Sequence, residues 1–330
     1  MKILVAGGAG YVGSKLVPAL LDEGHEVVVL DLYLYGDSVF GNHRCNHKLT
    51  EIKGDIRDIR TVKRALHSCD YVIHLACISN DPSFELDPSL GKSINLDSFE
   101  PFVKAAKEAK VKRFIYASSS SVYGVKDEAS VHEGMGLEPL TDYSKFKVEC
   151  EKILFSYLDD NFICTVIRPA TVCGYAPRQR LDVVVNILTN FAYNTGKIKV
   201  MGGDQMRPNI HIDDMVRSYL HVLKSPKESV QGEVFNVGYH NHTVKEIAEI
   251  VKRVVSKTKD ISVEFVPTND PRSYHISSEK IGKKIDFYPK YSIEDAVVSL
   301  VEAFEKNMLP NSLSDETYFN IKTMQKVNLK

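Results

Sequence analysis

Lys2-Ile-Leu-Val-Ala6 runs straight into Gly7-Gly8-Ala9-Gly10-Tyr11-Val12-Gly13, and an amphipathic pattern follows over Tyr11–Leu21. An apolar run, a glycine cluster and a helical period, in that order, read as a strand, a tight turn and a helix. Glycine lets the backbone come close to a ligand, while the first turn of the helix offers unpaired N–H groups and the positive end of its dipole. The junction is therefore a place for a pyrophosphate, with Gly7, Gly10 and Gly13 at its turn. The spacing is G-x-x-G-x-x-G, and a plain strand-to-helix turn could carry it too. Asp31 is the second observation. It ends the next apolar run, eighteen residues past Gly13, near the distance at which an acidic side chain accepts from a ribose 2′-hydroxyl. Together the two read as a dinucleotide site. Asp31 would repel a 2′-phosphate and Leu32-Tyr33-Leu34 offers no arginine to welcome one, so the expected cofactor is NAD and not NADP.

Outward from this junction, apolar β-rich runs alternate with helical patterns. Candidate strands are Lys2–Ala6, Glu26–Leu30, Leu49–Lys53, Tyr71–Leu75, Arg113–Ala117 and Phe162–Ile167. Helical spacing covers Tyr11–Leu21, Thr61–Leu66, Ser89–Ala109 and Tyr143–Leu158. Such alternation builds βαβ units and hence a parallel sheet covered on both faces, and a doubly wound dinucleotide-binding sheet uses six strands. The fold class is thus α/β, a Rossmann-type doubly wound parallel sheet. From about Pro169 the regularity breaks. Loops at Cys173–Arg180, Met201–Asn209 and Pro267–Arg272 interrupt helices near Val183–Tyr193, Asp213–Leu223, Val244–Val255 and Ser292–Phe304. This second part reads as a smaller, interleaved α/β substrate lobe. The division is a dinucleotide-binding domain over 1–168 and a mainly substrate-binding lobe over 169–330, without a clean linker. Leu309–Lys330 is polar and mixed and yields no assignment.

Composition narrows the function classes. With 330 residues, 43% of them hydrophobic, the chain can fill a real core, which excludes disorder, collagen and coiled coil. Lys+Arg 42 against Asp+Glu 43 leaves a net charge of −1 and no broad basic footprint for nucleic acid or anionic lipid. No apolar run is long enough to span a bilayer, and Ile3–Ala6 enters the glycine loop without a cleavage-like segment. A cytoplasmic protein is expected, with neither nucleic acid nor membrane as partner. Cys45, Cys69, Cys77, Cys150, Cys164 and Cys173 form no C-x-x-C pair and read as reduced thiols. His43 with His47, and His240 with His242, lack a cysteine or carboxylate to complete a metal site, so no metal is expected.

Two further patterns carry chemistry. Tyr116-Ala-Ser-Ser-Ser-Ser-Val-Tyr-Gly124 is a hydroxyl-rich turn at the carboxyl end of the fifth strand, the end where ligands of such sheets bind. Tyr143-Ser-Lys-Phe-Lys147 opens a helix, and its i, i+4 spacing puts Tyr143 and Lys147 on one face. A phenol is a poor base at neutral pH, but an ammonium and a bound nicotinamide cation beside it favour the phenolate. Tyr143 could then take a proton from a sugar hydroxyl while a serine hydroxyl holds the same oxygen. A solvated amphipathic face would show the same spacing. In Gly54-Asp55-Ile56, Asp55 either caps an adenine amino group or serves as an N-cap of the following helix.

The ordered series of these motifs resembles the extended short-chain dehydrogenase/reductases of the nucleotide-sugar epimerase and dehydratase type over nearly the whole chain. It comprises the glycine loop, Asp31, Gly54-Asp55, His74-Leu75-Ala76, Asn95, the serine turn ending Tyr123-Gly124, Tyr143-x-x-x-Lys147, Arg168-Pro169, and Arg207 through Asp214. The resemblance implies Ser119, Tyr143 and Lys147 as catalytic residues, Ser119 lying four before Tyr123. It implies NAD contacts from Gly7, Gly10, Tyr11, Val12, Asp31, Asp55, Ile56, Leu75, Ala76, Tyr143 and Lys147. For a nucleotide-diphosphate sugar it implies Asn95, Thr171, Arg180, Leu181, Arg207 and Arg272. Arg207 matches the arginine that holds the diphosphate, Arg180-Leu181 the loop that frames the base, and Arg272 a segment that often carries another phosphate-binding arginine. Thr171 stands where the family frequently has Asn. Family 4,6-dehydratases place Asp-Glu directly after the catalytic hydroxyl residue, whereas this chain has Ser120-Ser121. The implied activity is reversible oxidation at C4, with 4-epimerisation as net outcome and 4-dehydrogenation or 4-ketoreduction as the alternative. The stretches around Arg168, Arg180 and Arg272 resemble a subgroup acting on sugars of bacterial surface polysaccharides, GDP-heptose oxidation included. A homodimer paired through the helices of Ser89–Ala109 and Tyr143–Leu158 is implied as well. From another class, a non-catalytic NAD-binding regulator could use this fold, though it would have no reason to keep Ser119, Tyr143 and Lys147 together.

Overall fold

Successive side chains of a strand point to opposite faces. In the first strand Ile3 and Val5 join one buried cluster with Leu16, Val17 and Leu20 of the helix Gly13–Asp22, whereas Leu4 and Ala6 join another with Val62, Val103 and Leu154. Burial on both faces is why the run is apolar at consecutive positions. The computed structural model describes residues 1–330 except 80, 258, 269–272, 328 and 330.

Its strands are β1 (Lys2–Ala6), β2 (Glu26–Asp31), β3 (Leu49–Lys53), β4 (Tyr71–His74), β5 (Arg113–Ala117), β6 (Ile163–Pro169), β7 (Thr171–Cys173), β8 (Lys197–Met201), β9 (Met206–His211), β10 (Glu233–Val237), β11 (His240–Thr243) and β12 (Ser262–Val266). Seven of them form one sheet in the order β10-β6-β5-β4-β1-β2-β3, with every neighbouring pair parallel. The order reverses between β1 and β4, and that switch point is where a doubly wound sheet opens its ligand crevice. The first six strands of the sheet match the runs read from the sequence to within two residues at each end. The expected count of six is corrected to seven: β10 returns from beyond residue 168 to pair with β6, so the two parts of the chain are interleaved in the sheet itself. Its signal was Val234, Phe235 and Val237 bounded by Gly232 and Gly238.

The remaining strands form a three-stranded sheet, β11-β9-β7, and a pair, β12-β8. Helices Val184–Thr195, Val244–Val255 and Ile293–Glu305 pack with β8 around Val185, Leu188, Val200, Ile247 and Val297. Two more elements differ from expectation. Ser89–Ala109 is not one helix: Pro88–Lys92 and Phe99–Glu108 flank a π-helical turn at Ser93–Asp97, an insertion that often marks functional sites. The unassigned end of the chain holds a helix, Asn320–Val327. Among the described residues, no helix is long and apolar enough to cross a membrane.

His74 closes β4 inside an aromatic box, with ring centroids 5.2 Å from Phe99 and 4.9 Å from Phe102, and neither ring nitrogen has a hydrogen-bond partner. Burial, with help from the Lys147 ammonium, pushes its pKa down to about 3. The native pKa lies below the unfolded one, so this contribution to stability is complete above the unfolded value and is lost as pH falls from there toward 3. Replacing His74 with Leu should therefore flatten the acid side of the profile, recovering about 2 kcal/mol of the stability lost between pH 7 and pH 5. Urea unfolding at the two pH values measures it. An unchanged slope would remove His74 as a source of acid sensitivity.

Candidate active site

The carboxyl ends of β1, β4 and β5 and the loops around β7 and β9 enclose a cavity of about 480 Å³. Gly7 and Gly10 line its floor. Gly7 has φ +79°, and a Cβ there would come 2.6 Å from the backbone nitrogen of Ala76. At Gly13 a Cβ would meet the Gly8 carbonyl oxygen at 2.3 Å, so both positions need glycine for the turn to lie flat against its neighbours. Asp31, at the end of β2, accepts from the Ala9 N–H (3.0 Å) and the Tyr33 N–H (2.8 Å). Burial raises its pKa while these backbone donors work against the shift. Val12, Ile56, Leu75 and Ala76 continue the wall. The Tyr11 hydroxyl donates to Gly174 O (2.5 Å) and accepts from Asn186 Nδ2 (3.0 Å), tying the glycine loop to the opposite lobe.

Beyond β5 the serine turn forms the next stretch. Ser119 starts the 3-10 turn Ser120–Tyr123, where its Oγ accepts from the Ser121 N–H (3.1 Å) and lies 2.9 Å from Ser121 Oγ. Ser118 donates to Glu151 (2.5 Å), which also takes Arg168 Nε (2.9 Å) and Nη2 (2.5 Å). Arg168 Nη1 reaches the Tyr123 hydroxyl (2.8 Å), and that hydroxyl donates to Asn236 on β10 (2.8 Å). A buried ion pair thus fastens the turn to β6 and β10. Tyr143 stands in the first turn of the helix Asp142–Ser156, whose start is fixed by a reciprocal cap between Thr141 and Ser144. One turn later, Lys147 donates to Ala117 O (2.7 Å), with its ammonium 5.7 Å from the centre of the Tyr143 ring and 4.9 Å from that of Tyr116. Ser119, Tyr143 and Lys147 all line the cavity that the glycine loop and Asp31 line.

The lobe supplies Thr171, Arg180 and Arg207 to the same cavity. Arg180 Nε is bound to Asp182 (2.9 Å), and the Arg207 guanidinium sits 5.6 Å from the Tyr274 ring centre. Two residues expected at the substrate, Asn95 and Leu181, do not line the cavity. Asn95 lies in the π turn at 7% exposure, with its amide accepting from Ile78 N (2.8 Å) and donating to Ile78 O (2.9 Å), and so shapes the loop after β4. Leu181 is wholly buried among Leu300, Ala303, Phe304 and Leu309, while its neighbour Arg180 lines the cavity. Of the two readings of Asp55, the N-cap falls away, since Asp58 takes that role; the Asp55 carboxylate is held by Arg57 at 2.6 Å. Arg272 lies outside the described residues.

Leu32-Tyr33-Leu34 offers no cation directly after Asp31; the fold brings Arg178 near it from beyond β7. Its guanidinium lies 3.7 Å from the Tyr35 ring centre, and burial lowers its pKa to about 10. Arg178 sits in the quoted stretch before Arg180, but nothing in that stretch marks which arginine faces which ligand. Asn320 and Met324 also reach the cavity region from the last helix, with no sequence signal to announce them. The site suits a dinucleotide beside a diphosphate: a glycine cradle that a Cβ would fill, and two buried guanidinium nitrogens, Arg178 Nε and Arg180 Nη2, that have no partner. Among the described residues no three His, Cys, Asp or Glu side chains converge as metal ligands.

Comparison with known proteins bears on the family and the fold. The model of the family described as "NAD dependent epimerase/dehydratase family" matches residues 3–238. UDP-glucose 4-epimerase of Lactobacillus helveticus is 28% identical, over 93% of this chain and 98% of that protein. The dTDP-D-glucose 4,6-dehydratase of Homo sapiens is also 28% identical, over 93% and 90%. Among solved structures, UDP-glucuronic acid 4-epimerase from Bacillus cereus in complex with UDP-glucuronic acid and NAD superposes with a TM-score of 0.83 at 25% identity, over 93% of this chain and all of that one.

Proposed function

Because the chain belongs to the NAD dependent epimerase/dehydratase family, we propose that it uses NAD to oxidise C4 of a nucleotide-diphosphate sugar and restores hydrogen from the opposite face, as a 4-epimerase. The observation that carries this reading is the convergence of Ser119, Tyr143 and Lys147 on one wall of the cavity that also holds the glycine loop and Asp31. Bound NAD supplies the hydride acceptor. Gly7, Gly10, Val12, Ile56, Leu75 and Ala76 would hold it, with Asp31 on the ribose. Tyr143 takes the proton of the C4 hydroxyl, Lys147 favours the phenolate by its charge, and Ser119 Oγ holds the reacting oxygen. Arg207 offers its guanidinium to the substrate's diphosphate, Arg180 frames the nucleotide base, and Thr171 lines the same cavity.

Relatives include both epimerases and dehydratases, and what separates the two reactions is an acid and a base for the loss of water. Ser120 and Ser121 stand where family dehydratases carry Asp and Glu, and Ser120 is 5% exposed. An unactivated serine hydroxyl is neither a useful acid nor a useful base at neutral pH. A role in surface-polysaccharide sugar synthesis and pairing of two copies through helices Phe99–Glu108 and Asp142–Ser156 belong to the same reading and rest on the family resemblance.

Incubation with a panel of UDP-, GDP-, dTDP- and CDP-sugars, followed by mass spectrometry and NMR, tests the reading. The expected product has unchanged mass and inverted C4. A product lighter by two hydrogens would make the protein a 4-dehydrogenase, and one lighter by a water, formed at a comparable rate, would overturn the assignment in favour of a dehydratase.

A further inference from the structure

The roles above leave the buried Arg178 unused. Arg178 is 3% exposed and lies at the dinucleotide end of the cavity. Its backbone N–H donates to Ser14 Oγ (3.2 Å), in the first turn after the glycine loop, and its guanidinium stacks on Tyr35, four residues past Asp31. A guanidinium presents five donors in a planar fork. One, on Nη2, goes to Asn320 Oδ1 (2.5 Å), while Nε is buried without a partner. An unsatisfied buried donor is costly, and one on a charged group more so. Nε therefore marks a position that favours an anion. The anion that belongs beside a glycine loop and a helix N-terminus is the diphosphate of the dinucleotide.

Asn320 fixes that guanidinium from the far side. It opens the helix Asn320–Val327, is 2% exposed, and spends every polar group on the walls of the cavity. Its N–H donates to Asp182 Oδ2 (2.8 Å), its Nδ2 to Ser79 Oγ (2.9 Å), and its Oδ1 accepts from Arg178. One turn on, Met324 lines the cavity. The helix is thereby tied both to the loop after β4 and to the loop after β7.

We propose that Asn320 is a positioning residue for cofactor retention: it latches Arg178 onto the diphosphate of bound NAD, and the helix Asn320–Val327 straps the dinucleotide in place between turnovers. The proposal rests on NAD being the cofactor, and it deepens the epimerase reading. An enzyme that returns the hydrogen it removed has no need to exchange its dinucleotide, whereas a dehydrogenase must release it in every cycle.

The test follows loss of bound NAD from the purified holoprotein by rapid gel filtration and nucleotide absorbance. Asn320→Ala and Arg178→Gln should each speed release about tenfold or more, the size of one hydrogen bond to a charged group. The double variant should be no faster than Arg178→Gln alone, since both act through one contact. Asn320→Asp keeps the acceptor for Arg178 and loses the donor to Ser79, whereas Asn320→Leu keeps the bulk and loses the acceptor; the first should hold NAD as the parent does and the second should release it as Asn320→Ala does, a split that a packing role would not give. If Asn320→Ala is too unstable to purify, the Asp variant and Arg178→Gln decide. Release from Asn320→Ala at the parent rate, failure of the Asp rescue, or effects that multiply in the double variant would overturn the latch. A parent protein that binds no NAD would instead overturn the cofactor assignment on which the latch depends.

Discussion

Tyr143→Phe lowers turnover by roughly 10²–10⁴-fold, the range for loss of a general acid/base, and leaves nucleotide binding largely intact. The ring stays and only the hydroxyl goes, so the reciprocal cap of Thr141 and Ser144 that starts the helix is untouched, as is the bond from Lys147 to Ala117 O. A substrate-binding titration alongside steady-state kinetics separates the two effects. Unchanged turnover would refute the role of Tyr143. The serine assignment is tested in the same assay. Ser119→Ala should cost far more than Ser120→Ala, because Ser119 lies four residues before Tyr123, where the family carries its catalytic hydroxyl, although both serines line the cavity. The reverse order would show that another hydroxyl of the turn holds the sugar oxygen.

The largest loss of stability is expected at the ion pair beneath that turn. Glu151→Leu strands the Arg168 guanidinium, 4% exposed, with no carboxylate to answer it, and removal of one partner from a buried pair typically costs about 3–5 kcal/mol. Ser118 loses its acceptor in the same step, so activity should fall with stability. Adding Arg168→Met should recover much of the loss, since replacing both charges with apolar groups of similar size is often neutral. Urea unfolding of the single and double variants measures this, and a single variant as stable as the parent would show that water reaches the site and the pair is not truly buried.

What could be read from the sequence was whatever is written locally. Lys2–Ala6 has one pattern because both of its faces are buried, and Gly7 and Gly13 are needed within the same short turn that contains them. The i, i+4 spacing of Tyr143 and Lys147 is likewise complete within one helix. Less legible are the positions whose surroundings are set by a partner elsewhere in the chain. Asn95 carries the family motif position, yet its amide is consumed by Ile78 across the chain. Leu181 follows a site arginine and turns inward because the core of the last helices waits there. Arg178 and Asn320 meet across 142 residues, a distance at which no pattern in the chain gives notice. β10 is the intermediate case: its glycine-bounded apolar run was legible, but not its parallel place beside β6.

That place has a bearing on how the protein is made. Until residue 237 has left the ribosome, β6 remains an unpaired edge of an otherwise finished parallel sheet, and bare edges are templates for pairing with other chains. A fragment cut at residue 168 would carry this edge permanently, and a fragment beginning at 169 would expose Val234, Phe235 and Val237 with no sheet to join. Exchange of substrate lobes between relatives, by recombination or by design, has to move β10 with its host sheet or find a new partner for it. The nascent chain meets the same demand each time it is translated, and it must keep that edge covered over the span of 63 residues that separates β6 from β10.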